Sequence, residues 1–370
     1  QISEIILKKI IFIIHLPPPV HGSSVVGKYI KDSKIINSGF NAQFINLSTS
    51  RKIDEIGKNP RIKISRYLKI LYTLIFRLVK FNPDFVYLAL TAKGLGFYKD
   101  FPIALLVKLF GKKLVLHFHN KGVDKSRQIL FHDWFYRILF KKSKVILLSE
   151  ILYKDVITYV KKQDVFFCPN GIAVEKNTDQ LLPKNSHVPC LLFLSNLIES
   201  KGVFVLLEAL KILKDKGIIF HCNFVGGEAD ISSIQLNQKI DDLDLQEYVT
   251  YLGKKYGKDK HNIFRSSDIF VFPTFYHNEC FPLVLLEAMQ FGLPVISTDE
   301  GGIPEIIKDR ETGFIINKKN PEYLAEKIKY LIENPNDSFI MGKKGKDLFF
   351  KHYTLEIFEK RITYILNKIK

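Results

Sequence analysis

The stretch that decides the fold is residues 268–305, which read DIFVFPTFYHNECFPLVLLEAMQFGLPVISTDEGGIPE. A short apolar run at 269–273 precedes a polar loop, and an apolar helical segment then opens near Pro282. Proline is well suited to the first turn of a helix, and a short apolar run bounded by turn residues is typical of a buried strand. We therefore predict a strand, a loop and a helix here, followed by a further strand at 294–298.

The same alternation of apolar runs and longer helical patterns recurs through both halves of the chain. Ten strands are predicted, at residues 10–14, 85–90, 113–118, 144–148 and 165–168, and at 190–194, 219–225, 249–252, 269–273 and 294–298. Strands that alternate with helices indicate an α/β fold with parallel sheets. A length of 370 residues suits two domains, so we predict two Rossmann-like doubly wound domains that face each other across a cleft.

The boundary between the domains is predicted near Pro169-Asn170-Gly171, because residues 175–189 are polar and rich in turn formers. The first domain is then 1–172 and the second 173–354. The last segment, 355–370, has helical apolar spacing and could pack on either domain; we favour the first. Its apolar positions are Ile357, Ile362, Ile365 and Ile369.

The formal net charge of +17 lies in one half of the chain. Residues 1–180 hold 30 Lys and Arg against 13 Asp and Glu, whereas residues 181–370 hold 25 of each kind. Such a one-sided field indicates a polyanionic partner, and without a zinc-finger spacing or an RNP-like motif nucleic acid is not favoured. An anionic membrane surface is the better candidate.

Any membrane contact is expected to be peripheral, because no apolar run reaches the roughly 18 residues of a spanning helix. The apolar run at 10–16 stops at three prolines without a small-residue cleavage site, so we predict a buried strand rather than a signal peptide. Four scattered cysteines without paired spacing fit a reducing cytoplasm. We therefore expect a cytoplasmic protein at the inner face of the cell membrane.

A helix predicted at 61–80 combines an apolar set with basic residues at 66, 69, 77 and 80. Two interpretations stay open: a core helix with a solvated basic face, and a helix that lies on a membrane. The charge of the first half favours the second. Arg137, Lys141 and Lys144 form another basic row near Trp134. The apolar set is Ile64, Leu68, Leu71, Leu74, Ile75 and Leu78.

Two carboxylates, Glu279 and Glu287, lie eight residues apart around the start of the helix near Pro282. Each alone has an ordinary explanation, the first as a capping residue and the second as a solvated helix position. However, Glu287 follows four apolar residues on a helix expected to be buried, and a buried carboxylate needs partners such as ribose hydroxyls. Free backbone N–H groups near Cys280 and Phe281 would favour a diphosphate or sugar hydroxyls.

This stretch resembles the glutamate-x7-glutamate signature of glycosyltransferase family 4, whose members are retaining enzymes of the GT-B fold. The flanking phrases FPT, EAMQFGLPVI and DEGGIPE fit as well, and the resemblance covers nearly the whole chain, most strongly residues 190–316. It implies that Glu279 and the loop to Phe281 face the donor sugar. It also implies that Glu287 holds the nucleotide ribose.

Other donor contacts follow from the resemblance. In FLSNLIESKGVFVLLEAL, residues 193–210, Lys201 corresponds to the lysine that binds the donor diphosphate, while Asn196 replaces an arginine that the family commonly has. Gly226 ends an apolar run and lets backbone approach a ligand. Lys254 lies in a segment that resembles the one touching the nucleotide base.

In the first half, the loop PPPVHGSSV resembles the family loop that lies against the donor phosphates, with Gly22 and Ser23 as contacts. His117 and His119 end a predicted strand, where α/β folds place their sites. A lone histidine there is more often structural, and strand alternation points both to the same face. The resemblance favours His119 as the contact to sugar and acceptor.

Taken together, the resemblance implies a hexosyltransferase that moves a sugar from a nucleoside diphosphate sugar to a glycan or lipid-linked acceptor in bacterial cell-surface polysaccharide synthesis. His119, Lys201 and Glu279 would be its catalytic residues. No metal cofactor is expected, because no Asp-x-Asp lies near a strand end. Two alternatives stay open: a sugar-nucleotide epimerase or starch-type synthase of the same fold, and a non-catalytic binding subunit, for which Asn196 gives some support.

Overall fold

The computed structural model describes residues 7–49, 60–176 and 188–369, which form two compact units. The first unit comprises Gln1–Asn170 with Leu355–Lys370, and the second comprises Gly171–Thr354. Most of the polar segment predicted to link the domains, residues 177–187, lies outside the described residues. Each unit contains one sheet of six parallel strands with helices, which confirms the predicted α/β class.

The sheet of the first unit has the strand order β2-β1-β3-β4-β5-β6. Its central strands are buried apart from Lys113, because helices cover both faces, as is usual for a parallel sheet. The strands are β1 (Lys9–Ile14), β2 (Asn41–Asn46), β3 (Phe85–Leu90), β4 (Lys113–Phe118), β5 (Ser143–Leu147) and β6 (Val165–Phe167). The helices are α1 (Gly22–Asp32), α2 (Lys34–Gly39), α3 (Pro60–Lys80), α4 (Gly94–Leu109), α5 (Val123–Ser126) and α6 (Leu130–Phe140).

The sheet of the second unit has the order β12-β11-β10-β7-β8-β9. Its strands are β7 (Cys190–Leu194), β8 (His221–Val225), β9 (Val249–Tyr251), β10 (Ile269–Phe272), β11 (Val295–Thr298) and β12 (Gly313–Ile316). Its helices are α7 (Val203–Asp215), α8 (Ser233–Asp242), α9 (Gly257–Ser266), α10 (Leu283–Gln290), α11 (Ile303–Ile306), α12 (Pro321–Glu333) and α13 (Pro335–His352).

A last helix, α14 (Leu355–Lys368), returns to the first unit, where it packs on α2. The Lys8 ammonium donates to the carbonyls of Asn367 and Ile369, at 2.8 and 2.9 Å, and so satisfies acceptors that a helix end leaves without partners. The Arg361 guanidinium donates to the Pro169 carbonyl at 3.2 Å. These bonds hold the last helix against residues at the beginning and at the end of the first of the two segments that form this unit.

Helix α3 differs from its predicted pattern. Ile70, Leu74 and Leu78 are buried, but Leu68 and Ile75 of the predicted apolar set are exposed. The set therefore does not form one buried face.

The basic row predicted near Trp134 is also wrong as a single stripe, since Lys144 lies on β5 and pairs with Asp164 at 2.5 Å. Among the described residues, no helix is both long and apolar enough to cross a bilayer.

The contact between α1 and the end of β1 depends on Gly27. A methyl group there would lie 2.0 Å from the carbonyl oxygen of His15, so Gly27→Ala must push helix and strand apart. We expect a loss of about 1–3 kcal/mol in the free energy of unfolding, measured in urea. Gly39→Ala is the control, because its methyl group would meet only Thr363 at 3.8 Å. An equal loss in both variants would contradict the prediction.

Candidate functional site

The strand order of the second unit reverses between β7 and β10. The chain leaves β7 towards β8 and β9, and it leaves β10 towards β11 and β12 on the other side. Ligands of open α/β sheets bind in the crevice that such a reversal leaves at the carboxyl ends of the strands. The loop after β7 carries Asn196 and Lys201, and the loop after β10 carries Glu279. The topology therefore brings the predicted donor residues to one edge of this sheet.

Lys201 and Glu279 form an ion pair between the ammonium and Oε2. Only 14% of the lysine side chain and 11% of the glutamate side chain are exposed. The ammonium also lies 4.5 Å from the centre of the Tyr276 ring, a favourable contact with the π face. Two backbone bonds brace the pair: Phe275 N donates to Ser200 O and Lys201 N to Ile198 O, at 2.8 and 2.9 Å. Lysine and glutamate are thus held together by loops that are 78 residues apart in sequence.

Glu279 lies four residues before α10, whose N-cap is Pro282. Cys280 and Phe281 are buried, at 2% and 4% exposure, so neither side chain is open to a ligand. The carbonyl of Cys280 accepts a bond of 2.7 Å from the amide of Gly302, which fixes the loop beside the chain that follows β11. The two residues predicted as donor contacts are therefore structural through their side chains.

Glu287 lies on α10 and accepts a hydrogen bond of 2.7 Å from the Lys260 ammonium of α9. The side chains are 22% and 21% exposed, so the carboxylate is only partly buried and already has a partner. We expected a buried Glu287 to need a ribose as its partner, but Lys260 already pairs with the carboxylate. Sequence reasoning missed this residue because α9 is a polar helix without a motif, 27 residues before the glutamate.

The remaining predicted donor residues of the second unit lie at the ends of β7, β8 and β9. Asn196 Oδ1 accepts a bond of 3.4 Å from the amide of Gly227. Gly226 has φ +154, and a methyl group there would lie 1.7 Å from the Ser195 carbonyl, so a larger residue would separate the two loops. The Lys254 side chain crosses Gly227 so closely that a methyl group would lie 1.9 Å from its Cε. Lys254 therefore brings an ammonium to the loop that Asn196 holds.

In the first unit, His119 and His117 point to the same side of β4, with ring centres 4.3 Å apart. The fully buried His117 makes a hydrogen bond through Nδ1 to the Tyr87 hydroxyl, while no described residue bonds its Nε2. His119 is partly exposed, so it is the histidine that a ligand can reach. Burial, with a smaller contribution from His21, lowers the pKa of His119 to about 4.

Gly22 and Ser23 begin α1, and as its first two residues they have no intrahelical acceptor for their amides. The Ser23 hydroxyl lies 3.0 Å from Nδ1 of His21.

Burial and then the charge of Lys99 lower the pKa of His15 to about 3. The ring of His15 lies 5.7 Å from that of His21. His15 and His21 were not predicted, although both flank the prolines of the predicted loop. The described part of the first unit thus gathers four histidines whose pKa is lowered mainly by burial, namely His15, His21, His117 and His119.

No group of three or more His, Cys, Asp or Glu side chains that could hold a metal ion occurs within residues 7–49, 60–176 and 188–369.

Comparison with known proteins finds a similarity to glycosyltransferases that is concentrated in the second unit. Residues 174–348 match the family model described as Glycosyl transferases group 1. The matched residues make up most of the second unit and slightly less than half of the chain. The amylovoran biosynthesis glycosyltransferase AmsK of Erwinia amylovora is 28% identical over 225 residues, which cover 59% of this chain and 55% of AmsK. The chain spans about half the length of the curated relatives it matches.

Solved structures share the fold that the described residues form. A glycosyltransferase from Rickettsia africae has a TM-score of 0.75 at 21% identity, over 98% of this chain and 100% of that one. Anabaena HepE, solved with UDP and glucose, has a TM-score of 0.69 at 16% identity over 98% and 100%. At such identities the likeness establishes the fold, which is GT-B with two Rossmann-like domains.

The lowered pKa values of His15 and His119 make stability depend on pH. Both pKa values lie below 6.5, so between about pH 6.5 and pH 4 the unfolded chain binds more protons than the folded chain. Stability should therefore fall as the pH drops through this window, by up to about 1.4 kcal/mol per pH unit for each histidine.

Thermal unfolding of the full chain between pH 7.5 and pH 4.5 measures this dependence. Because it removes one of the imidazoles whose pKa is lowered, His15→Gln should make this dependence shallower. A His15→Gln variant with the full dependence of the wild type would show that this histidine does not cause it.

Proposed function

We propose that this protein is a retaining glycosyltransferase of family 4 that transfers a sugar from a nucleoside diphosphate sugar. The observation that carries the proposal is the Lys201–Glu279 pair at the reversal point of a sheet that has the group 1 pattern. An ammonium and a carboxylate side by side suit the two halves of such a donor, a diphosphate and a polyhydroxylated ring. HepE, which shares the fold, was solved with UDP and glucose.

Donor binding would exchange the partners of this pair. A diphosphate group is a stronger acceptor for the Lys201 ammonium than the Glu279 carboxylate, because the diphosphate carries more negative charge. Once the ammonium turns to the diphosphate, Glu279 is free to accept hydrogen bonds from sugar hydroxyls. The donor would thus replace one charge pair by two sets of charge-assisted bonds, without leaving a buried carboxylate unpaired.

Glu287 would bind the ribose in the same way. Its carboxylate is 22% exposed and holds Lys260 at 2.7 Å, so a pair of ribose hydroxyls can reach it while Lys260 shifts or remains. A lysine at this position also places a second positive charge near the nucleotide. Lys260 is therefore proposed as an additional donor contact, on α9.

Lys254 is proposed as the second cation of the diphosphate site. The family commonly has an arginine where this chain has Asn196, so a positive charge is missing from that position. The Lys254 side chain crosses Gly227, whose amide donates to Asn196, and so reaches the same loop from β9. A lysine from a neighbouring strand end can supply the missing charge to this edge of the sheet.

Catalysis would rest on stabilising the departing diphosphate. Negative charge grows on the leaving oxygen as the glycosidic bond breaks, and preorganised cations acting there are usually the largest catalytic contribution. Lys201 and Lys254 would supply it. His119, neutral at pH 7, would contact sugar and acceptor by hydrogen bonds without adding charge. We expect the acceptor oxygen to bond to the anomeric carbon on the face from which the diphosphate leaves, while the acceptor's hydroxyl proton passes to the leaving diphosphate oxygen. Such a reaction retains the configuration without a metal, so EDTA should not stop turnover.

The acceptor is proposed to be a glycan or a lipid-linked glycan of bacterial cell-surface polysaccharide synthesis. The basic first half of the chain suits an acceptor that is phosphorylated or lies at an anionic surface. AmsK, whose sequence is similar to this chain, is named for such a pathway.

Nucleotide binding tests the donor site with opposite expectations for the two members of the pair. Lys201→Met should weaken UDP, GDP or ADP binding by about ten- to a hundred-fold, because a bond to a charged group is lost. Glu279→Gln should leave the binding of the free nucleotide unchanged or tighter, because Lys201 no longer has a competing carboxylate. Calorimetric titration gives both affinities.

The matched control is Lys211→Met, which breaks the exposed Lys211–Asp215 pair on α7 and should not alter affinity. A donor site elsewhere would be indicated if Lys201→Met bound every nucleotide as the wild type does.

Turnover separates the proposed reaction from its alternatives. With the nucleotide sugar that binds best, both Lys201→Met and Glu279→Gln should lose at least a hundred-fold in kcat/KM, which corresponds to about 2.7 kcal/mol of lost transition-state stabilisation. NMR of the product should show the donor's anomeric configuration. A sugar nucleotide converted without an acceptor would identify an epimerase, and tight binding without any turnover would identify a binding subunit.

A further inference from the structure

Helix α3 is apolar on two opposite sides. Its inner side places Ile70, Leu74 and Leu78 in the core of the first unit. A helix at the surface of a globular protein normally has one apolar stripe, facing the core, and a polar outer side. In α3 the outer side is apolar as well.

The exposed apolar residues recur every three or four positions, so they form a continuous line along the outside of the helix. We call this line the outer stripe. With 21 residues the helix is about 31 Å long, and the stripe runs along most of it. The outer stripe consists of Ile64 (58% exposed), Leu68 (58%), Tyr72 (71%), Ile75 (39%), Phe76 (54%) and Val79 (60%).

The charged residues of α3, which carries the outer stripe, are all basic. The sequence from 60 to 83 contains six Lys and Arg and no Asp or Glu. Arg66 and Arg77 donate to the carbonyls of Thr49 and Phe44, at 2.8 and 2.9 Å, so these two brace the fold. The others include Arg61, Lys69 and Lys80, which are exposed beside the stripe.

A second apolar group lies on the same layer of helices. Helix α4 packs against both α3 and α6, so the three helices form one layer on one face of the sheet. Helix α6 exposes Leu130, Phe131 and Trp134, at 82%, 73% and 58%. Residues 60–142, which include this layer, hold 17 Lys and Arg against four Asp and Glu. Apolar, aromatic and basic residues thus share one side of the first unit.

We propose that the outer stripe of α3 and the exposed residues of α6 form a docking surface for an anionic lipid membrane. Long apolar side chains enter the boundary between headgroups and acyl chains, tryptophan prefers this depth, and lysine and arginine attract anionic headgroups. A second copy of the chain is a poorer occupant, because two basic stripes would face each other without a counter-charge. The surface holds the first unit at the bilayer without crossing it.

Vesicle co-sedimentation of the full chain tests the charge part of the proposal. Binding should be strong to vesicles of phosphatidylcholine with 30% phosphatidylglycerol, weak to phosphatidylcholine alone, and should fall with salt. Lys69→Ser/Lys80→Ser should lower the partition coefficient by roughly thirty-fold, since each lysine near an anionic surface contributes about a factor of five. Lys343→Ser/Lys351→Ser, exposed on α13 of the second unit, is the control with the same change in charge.

The apolar part is tested by Leu68→Glu/Tyr72→Glu, which changes only outward side chains. It should abolish sedimentation with vesicles, whereas Ile234→Glu/Phe339→Glu, at apolar positions of the second unit that are 79% and 70% exposed, should not. The melting temperature of each variant shows whether it folds. If the outer-stripe variant fails to fold, the lysine variants still decide the question.

Trp134 is the sole tryptophan of the chain, so its emission reports directly on α6. Anionic vesicles should shift this emission to the blue, and brominated acyl chains should quench it. The proposal is overturned if binding ignores lipid charge, if Trp134 emission stays unchanged in bound protein, or if the control variants lose as much binding as the others. A dimer that Leu68→Glu/Tyr72→Glu dissociates would likewise overturn it and assign the stripe to a second copy.

Discussion

The right-handedness of the connections between parallel strands is the constraint on which this structure depends. In each sheet the chain first moves towards one edge and then returns to build the other side, β7 to β9 and then β10 to β12 in the second unit. Because crossovers between parallel strands are right-handed in nearly all proteins, helices that follow neighbouring strands at the reversal lie on opposite faces of the sheet. The loops that follow these two strands diverge at that point. The crevice between them brings strand ends, glycines and charged side chains together. Lys201 and Glu279 owe their contact to this geometry rather than to any closeness in sequence.

Both candidate carboxylates are neutralised by lysines from other elements, Glu279 by Lys201 and Glu287 by Lys260. Desolvating a lone carboxylate costs several kcal/mol, so this arrangement lets the protein hold two of them in a partly enclosed place. It also keeps each side chain in a defined position before a ligand arrives. The ligand then exchanges partners instead of ordering the site, which limits the conformational entropy lost on binding.

Most of the fold could be predicted from the sequence, because hydrophobic periodicity and the turn-forming residues between apolar runs indicate where strands and helices lie. Ten of the twelve strands found in the described residues lie within a residue or two of the predicted runs. The two missed strands, β2 and β12, are at the edges of their sheets, where one side is open and the apolar pattern is weak or short. Helix α3 was predicted with nearly correct ends, but its two apolar sides were not separated, because periodicity shows a stripe and not what covers it.

The candidate site was predictable where residues are close in sequence and not where they come from distant elements. The spacing of Glu279 and Glu287 around one helix start was visible, as was Lys201 before α7. Lys260 and the histidines His15 and His21 were not, because a partner 27 residues away on a polar helix, or beside prolines, leaves no pattern. Long-range pairing is decided by topology, and only the folded chain displays it.

The placement of α14 has a consequence for the order in which the protein is made. This helix completes the first unit, yet it follows the entire second unit along the chain, and the amide of Ile172 donates to the carbonyl of Tyr353 at 3.0 Å where the second unit begins and ends. A ribosome therefore finishes the second unit while the first still lacks a helix. During synthesis the second unit can mature first, and α2 keeps its apolar surface uncovered until α14 emerges from the exit tunnel.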